Sequence, residues 1–168
     1  MNNTLIQALE DSREEFLTSA AGVTEGQARV SPAPGRWSVL ECAEHIVTVE
    51  GRFVGWLQNP EATPAPAEDK QKEALLAQRI AERSTKNQAP ESAQPKGRFG
   101  SLAEALAEFK TVRAASIQFA QEQGSGLYSI STKHPALGPI NGTELMVMMA
   151  AHTRRHAGQV REIREQLS

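Results

Sequence analysis

Apolar residues at helical spacing constrain the fold of this chain more than any other sequence feature. Near the N-terminus they form one stripe of Leu5, Leu9 and Phe16, and similar stripes recur along the chain. A repeat every three to four residues is typical of an amphipathic helix. Alternation of period two extends over no stretch longer than 127–131, so no strand of ordinary length is predicted. The spacing predicts helices over about 3–21, 38–57, 67–83, 101–123 and 143–166.

The predicted helix starts carry capping signals. Ser38 precedes Glu41 by three residues, and Ser101 with Glu104 and Asn141 with Glu144 have the same spacing. In such a capping box, each side chain bonds a backbone N–H that the helix itself leaves free. Proline and glycine interrupt the stretches between helices, so 60–66 and 87–100 are predicted as loops and 128–142 as irregular.

Four long helices and one weaker helix over 67–83, which has few apolar residues, predict a helical bundle. The chain has 168 residues, which suits one domain over 1–168, since domains commonly hold about 100–150 residues. A chain of this size buries roughly 70% of its unfolded surface. It therefore needs no metal to stay folded, and a bound metal would serve chemistry before stability.

Charge and composition restrict the expected partners and compartment. The formal net charge is −2, and basic residues are scattered among acids, so neither nucleic acid nor an anionic membrane is expected as a partner. The sequence lacks both a run of about 18 apolar residues and a basic N-terminus followed by an apolar segment. Cys42 is the one cysteine, which excludes an intramolecular disulfide and fits a reducing compartment. We expect a cytoplasmic protein.

Three histidines stand where the helical pattern requires core residues. His152 and His156 are four residues apart in the last predicted helix, so both project from its apolar face. His45 interrupts the stripe of the second helix in the same way. Neutral imidazole binds Zn, Ni, Cu and Fe, and three histidines leave a coordination position open for water or substrate. The alternative is that each buried histidine bonds a carboxylate or carbonyl, and spacing alone does not show that the stripes meet.

Two blocks of sequence resemble a known family. RWSVLECAEHIVTVEGRF and HPALGPINGTELMVMMAAHTRRHAGQVREI are similar to the two diagnostic blocks of DinB/YfiT-like proteins, in the expected order. The resemblance implies an all-α, up-and-down four-helix bundle with an extra short helix. It also implies a divalent metal ion, Zn or Ni, held by His45, His152 and His156. The residues three positions before these histidines include no glutamate, which argues against the Glu-x-x-His site of ferritin-like bundles.

The resemblance leaves two kinds of function open. Relatives include thiol-dependent transferases and metal-dependent hydrolases, so the first hypothesis is a metal-dependent S-transferase or hydrolase acting on a small molecule. A low-molecular-weight thiol would then be a second cofactor. The alternative is a non-enzymatic, stress-related bundle that binds a metal or a small molecule. The family also implies a homodimer, and the sequence identifies no separate general base.

Acidic residues near His45 receive different interpretations. Glu44 is adjacent in sequence but points elsewhere around the helix, so a surface role is predicted. Glu41 or Glu50 is predicted to accept a hydrogen bond from a metal-binding imidazole.

Other polar residues near the predicted site are interpreted as structural. Cys42, one turn before His45, is interpreted as a buried apolar side chain, with reactivity near the metal as the alternative. Arg154 and Arg155 are predicted to face solvent, with a contact from Arg155 to an anionic substrate as the alternative. His134 precedes Pro135 in a loop motif of the family and is left out of the metal set.

Overall fold

The computed structural model describes residues 3–84 and 88–168. Its helices within these residues are α1 (Asn3–Ala20), α2 (Glu25–Ala28), α3 (Val39–Gln58), α4 (Lys70–Ala81), α5 (Leu102–Gln123) and α6 (Gly142–Leu167). A hairpin of β1 (Ser131–His134) and β2 (Gly138–Asn141) precedes α6. Short 3-10 turns lie at Glu91–Ala93 and Gly124–Ser129. None of the helices found in these residues has the length and apolar content needed to cross a membrane.

The four long helices α1, α3, α5 and α6 form the predicted bundle. Helices α1 and α3 each pack against both α5 and α6, and α4 packs on the outside of α6. The all-α four-helix bundle with an additional short helix is therefore confirmed, as is the position of each long helix to within three residues.

Two apolar clusters show how the long helices run. One cluster joins the start of α1 and the start of α6 to the ends of α3 and α5, whereas the other joins the opposite ends. Helices α1 and α6 therefore run in one direction and α3 and α5 in the other. The order of directions thus differs from the up-and-down alternation that the family resemblance implied, although the four-helix bundle itself is as predicted. Because α3 and α5 are parallel, the segment 59–101 must travel the length of the bundle, and α4 lies within it.

Capping explains where the helices begin. The complete capping boxes of Ser38 with Glu41 and of Asn141 with Glu144 are confirmed. Ser101 accepts a hydrogen bond from the backbone N–H of Glu104 as predicted, whereas the Glu104 carboxylate bonds the N–H of Gly100. Helix α4 begins later than predicted because Asp69 caps it.

Two short elements differ from the sequence prediction. The segment 128–142, predicted as irregular, contains the hairpin, in which Ser131 pairs with Asn141 and His134 with Gly138. Four-residue strands are too short to show a clear alternation of apolar and polar residues. Pro139 within β2 weakens the strand pattern further, because proline is unusual inside a strand. Helix α2 was also missed, although Thr24 and Gln27 form a capping box at its start.

A buried ion pair lies in the centre of the bundle. Arg113 of α5 and Glu50 of α3 have exposed side-chain fractions of 0% and 1%. The guanidinium donates to both carboxylate oxygens of Glu50, at 2.8 and 2.9 Å. Its remaining N–H groups donate to the Leu9 carbonyl, to Ser12 and to Thr153. The network thus links all four long helices at one level of the core.

Candidate metal centre

The structure brings the three predicted histidines together. His45 of α3 and His156 of α6 place their Nε2 atoms 3.0 and 3.1 Å from the Nε2 atom of His152. The ligand atoms of all three residues lie within 4.8 Å of one another. The two apolar stripes therefore meet, because α3 and α6 are antiparallel neighbours in the bundle.

Two acceptors fix the orientation of the imidazoles. The Nδ1 atom of His45 lies 2.6 Å from the carbonyl oxygen of Ala93, and Nδ1 of His156 lies 2.8 Å from Oε1 of Gln159. A carbonyl oxygen can only accept, so each Nδ1 carries the proton and donates it. Each Nε2 atom is then left with a lone pair directed at the centre of the cluster, the tautomer that a metal ligand requires.

Burial keeps the histidines neutral. It lowers the pKa of His156 to about 3, with a further contribution from the neighbouring His45. It also lowers the pKa of His152 well below its ordinary value, and the two adjacent imidazoles add to this effect. Burial lowers the pKa of His45 as well, against an opposing hydrogen bond to Ala93. All three imidazoles are therefore neutral near pH 7.

This donor set fits a divalent metal ion. Nitrogen ligands bound tetrahedrally to one zinc ion are roughly 3.4 Å apart. Two of the three separations here are 3.0 and 3.1 Å, and the third does not exceed 4.8 Å. Imidazole is a ligand that suits Zn and Ni.

A large cavity opens beside the three histidines. Its volume is about 1190 Å³ and its walls come from α3, α4, α6 and the connections around them. The ring of Trp37 covers one side, with its centroid 4.7 Å from that of His45 and 6.0 Å from that of His156. All three clustered histidines line this space, and His152 is the least buried of them.

A sequence model of the DinB superfamily matches residues 8–160 of this chain. The chain belongs to the DinB superfamily. No curated protein matches it in sequence. Among solved structures it is similar to YfiT from Bacillus subtilis, described as a probable metal-dependent hydrolase with an unusual four-helix bundle topology. The TM-score is 0.64 at 16% identity, with 98% of this chain and 86% of that chain covered, so the likeness supports the shared fold.

The surface role predicted for Glu44 of this DinB superfamily protein is wrong. Glu44 is buried, and its carboxylate accepts the backbone N–H groups of Lys96, Gly97 and Arg98 at 2.6, 3.1 and 3.2 Å. The segment 94–98 folds back over α3, which spacing within α3 does not reveal. Glu44 thereby holds in place the connection that presents the Ala93 carbonyl to His45.

The prediction that Glu41 or Glu50 orients an imidazole is also wrong. Glu41 belongs to the capping box of α3, and Glu50 binds Arg113. The acceptors are the Ala93 carbonyl and the Gln159 side chain. Gln159 follows His156 by three residues and so was detectable as a helical neighbour. The Ala93 carbonyl had no sequence signal, because every residue has a carbonyl group.

Cys42 is an apolar core residue, as interpreted from the sequence. Its side chain has no exposed surface, and burial raises the pKa of the thiol to about 12. A thiol in this state is a weak nucleophile and a poor metal ligand. Cys42 is also absent from the walls of the cavity.

The two arginines before His156 have different surroundings. Arg154 is exposed and pairs with Glu15 at 3.4 Å, as its predicted solvent-facing position requires. Arg155 is only partly exposed, lines the cavity and donates to the backbone carbonyl of Glu82. The prediction that both face solvent is thus correct for Arg154 and wrong for Arg155.

His134 lies apart from the three clustered histidines but lines the same cavity. Its ring packs edge-on against Phe53 and Trp56, with centroids 6.2 and 6.1 Å away. Its Nδ1 atom accepts the backbone N–H of Ala136 at 3.1 Å, which leaves the proton on Nε2. This position agrees with the exclusion of His134 from the predicted metal ligands.

Proposed function

We propose that this DinB superfamily protein binds one divalent metal ion, Zn or Ni, through Nε2 of His45, His152 and His156 and uses it to transform a small molecule. The observation that carries the proposal is the convergence of three neutral imidazoles at the wall of a large cavity. A purely structural metal site is normally closed by four protein ligands, whereas a catalytic site keeps a position for water or substrate. Three ligands beside open space correspond to the second kind.

The protein residues prepare the site for such an ion. When bound, the ion would supply Lewis-acid activation of a water molecule or a thiol. Ala93 and Gln159 hold two imidazoles in the ligating tautomer. Trp37 covers the rings of His45 and His156 and restricts the approach of water from that side. A small molecule can approach the cluster through the cavity, on the side of His152.

The residues that line the cavity favour a thiol over water as the nucleophile. No aspartate, glutamate, lysine, tyrosine or cysteine is among the described residues that line it. His134 is a poor proton acceptor, because its Nδ1 already accepts a backbone hydrogen bond. A free thiol has a pKa near 8.5 and free water one near 15.7, and a bound metal ion can bring that of water to about 7. A thiol thus becomes an anion with less help from the ion or from a separate base. We therefore propose thiol-dependent S-transfer first and hydrolysis second.

Metal content tests the proposal directly. Untagged protein would be analysed for bound elements after incubation with Zn or Ni and removal of free ion. We expect about one equivalent in the wild type and almost none in the His152→Ala/His156→Ala variant. His134→Ala is the matched control, because it removes a histidine from the same cavity and should retain the ion. Absence of metal from the wild type would overturn the proposal.

Turnover separates an enzyme from a binding protein. Zinc-loaded protein would be mixed with a low-molecular-weight thiol and a chromogenic alkyl or aryl halide, and formation of the thioether would be followed. We expect turnover that disappears on chelation and in the double variant. Metal binding without turnover of thiols or esters, combined with a large loss of thermal stability on chelation, would instead support the non-enzymatic alternative.

A further inference from the structure

The walls of the cavity are strongly cationic. Five arginines line it, and no acidic side chain does among the described residues. Arg83 is neutralised by Glu162, to which it donates at 3.2 and 2.7 Å, and Arg155 donates to the carbonyl of Glu82. The others are Arg36, Arg52 and Arg79, and none of these forms an ion pair within residues 3–84 and 88–168. Excess positive charge in a cleft attracts anions.

Of Arg36, Arg52 and Arg79, Arg52 has the best-defined position. Its guanidinium lies 5.6 Å from the centroid of the Trp56 ring and donates to the Ser92 hydroxyl at 3.0 Å. These contacts hold the planar group in one orientation and leave other N–H donors available. The His134 ring packs against the same Trp56 ring, with centroids 6.1 Å apart, which places Arg52 on the same side of the cavity as that histidine. A fixed guanidinium suits two-point binding of a carboxylate or phosphate.

Arg52 and the candidate metal centre stand at opposite ends of one apolar strip. Arg52 follows His45 by seven residues on α3, which is two helical turns or roughly 10 Å along the axis on the same face. Val49 of α3 and Met148 of α6 each lie one helical turn from a histidine on the side of Arg52, and Phe53 lines the cavity at the level of Arg52. A ligand that reaches from Arg52 to the histidines must therefore bury an apolar body along this strip.

We infer that the cavity binds a small amphipathic oxyanion, a carboxylate or phosphate held by Arg52, with its apolar body directed along Val49, Phe53 and Met148 towards the histidines. This inference rests on the proposed function, which places the reacting group of the ligand beside the three histidines. It adds the substrate class, because it requires a negative charge about two helical turns from the reacting group.

The test uses three probes that share one apolar body. 4-Phenylbutanoate, its neutral amide and 3-phenylpropyl phosphate would be titrated into zinc-incubated wild type by calorimetry. We expect at least one anion to bind ten times more tightly than the amide, and the stronger anion identifies the preferred oxyanion. Equal affinity for the amide and both anions, or no binding of either anion, would overturn the inference.

Two variants assign the preference to Arg52. Arg52→Gln should lose the tenfold preference for the anion while binding the amide as the wild type does. Arg154→Gln, which removes an exposed arginine of α6 that does not line the cavity, should keep it. A preference that survives in Arg52→Gln would show that another group binds the charge.

The outcomes distinguish this inference from the proposed function. Arg52 is not a candidate ligand, so Arg52→Gln should retain about one equivalent of zinc. Wild type that binds zinc without preferring anions would refute the inference and leave the metal site standing. Wild type that prefers anions through Arg52 but holds no zinc would refute the proposed function alone.

Discussion

Replacing Arg113 by methionine should destabilise the protein more than most core substitutions. The change leaves the Glu50 carboxylate buried with the Ser116 hydroxyl, at 2.8 Å, as its remaining partner. Breaking a buried ion pair by removing one charge costs about 3–5 kcal/mol. Other former partners lose less, because the hydroxyls of Ser12 and Thr153 also donate to carbonyls of their own helices. The cost therefore comes mainly from the uncompensated Glu50.

A double variant tests that assignment. Arg113→Met/Glu50→Met removes both charges and fills a similar volume, so it should recover at least about 2 kcal/mol relative to Arg113→Met. Urea unfolding followed by circular dichroism measures each free energy of unfolding. For a chain of this size, the single variant should also melt roughly 6–20 °C below the wild type. A loss below about 1 kcal/mol in Arg113→Met, or a double variant no more stable than the single one, would refute the reasoning.

Two further predictions concern the histidines and their support. The folded state holds the pKa of His156 near 3, whereas the unfolded chain protonates near 6.5, so metal-free protein should lose stability as pH falls between these values. The loss of stability from His156 is about 2 kcal/mol between pH 7 and pH 5. The free energy of unfolding of His156→Gln, measured with urea, should therefore depend less steeply on pH than that of the wild type. An equal pH dependence would contradict this. Glu44→Gln should weaken zinc binding about tenfold in a chelator competition, because it loosens the segment that carries Ala93. Glu122→Gln, at an exposed position, is the control. Equal zinc affinities of Glu44→Gln and wild type would exclude this coupling.

Local signals made much of the fold predictable from the sequence. The long helices appear in the stripes of apolar residues, and the starts of α3 and α6 appear in the capping boxes at Ser38 and Asn141. The grouping of His45 with the pair on α6 was expected from the family resemblance, and the structure brings them together. These features depend on residues within one or two helical turns, or on motifs that a family retains.

Features that depend on distant contacts were not predictable. Glu44 is buried by residues 96–98, more than fifty positions away in the chain. The acceptor for His45 is a backbone carbonyl, which no residue type marks. The parallel course of α3 and α5 likewise leaves no trace in either helix, since apolar periodicity is the same for both directions.

That parallel course assigns the clustered histidines and one wall of the cavity to separate parts of the chain. A polypeptide that must return along the bundle between α3 and α5 needs a long connection, and residues 59–101 fulfil that geometric need. The same connection forms one side of the cavity and supplies Arg79, Arg83 and Ala93. Exchange of this segment would change one wall of the cavity while the helices that carry the histidines and Arg52 stay the same. One wall of the cavity can therefore be altered by changing a single continuous stretch of the gene.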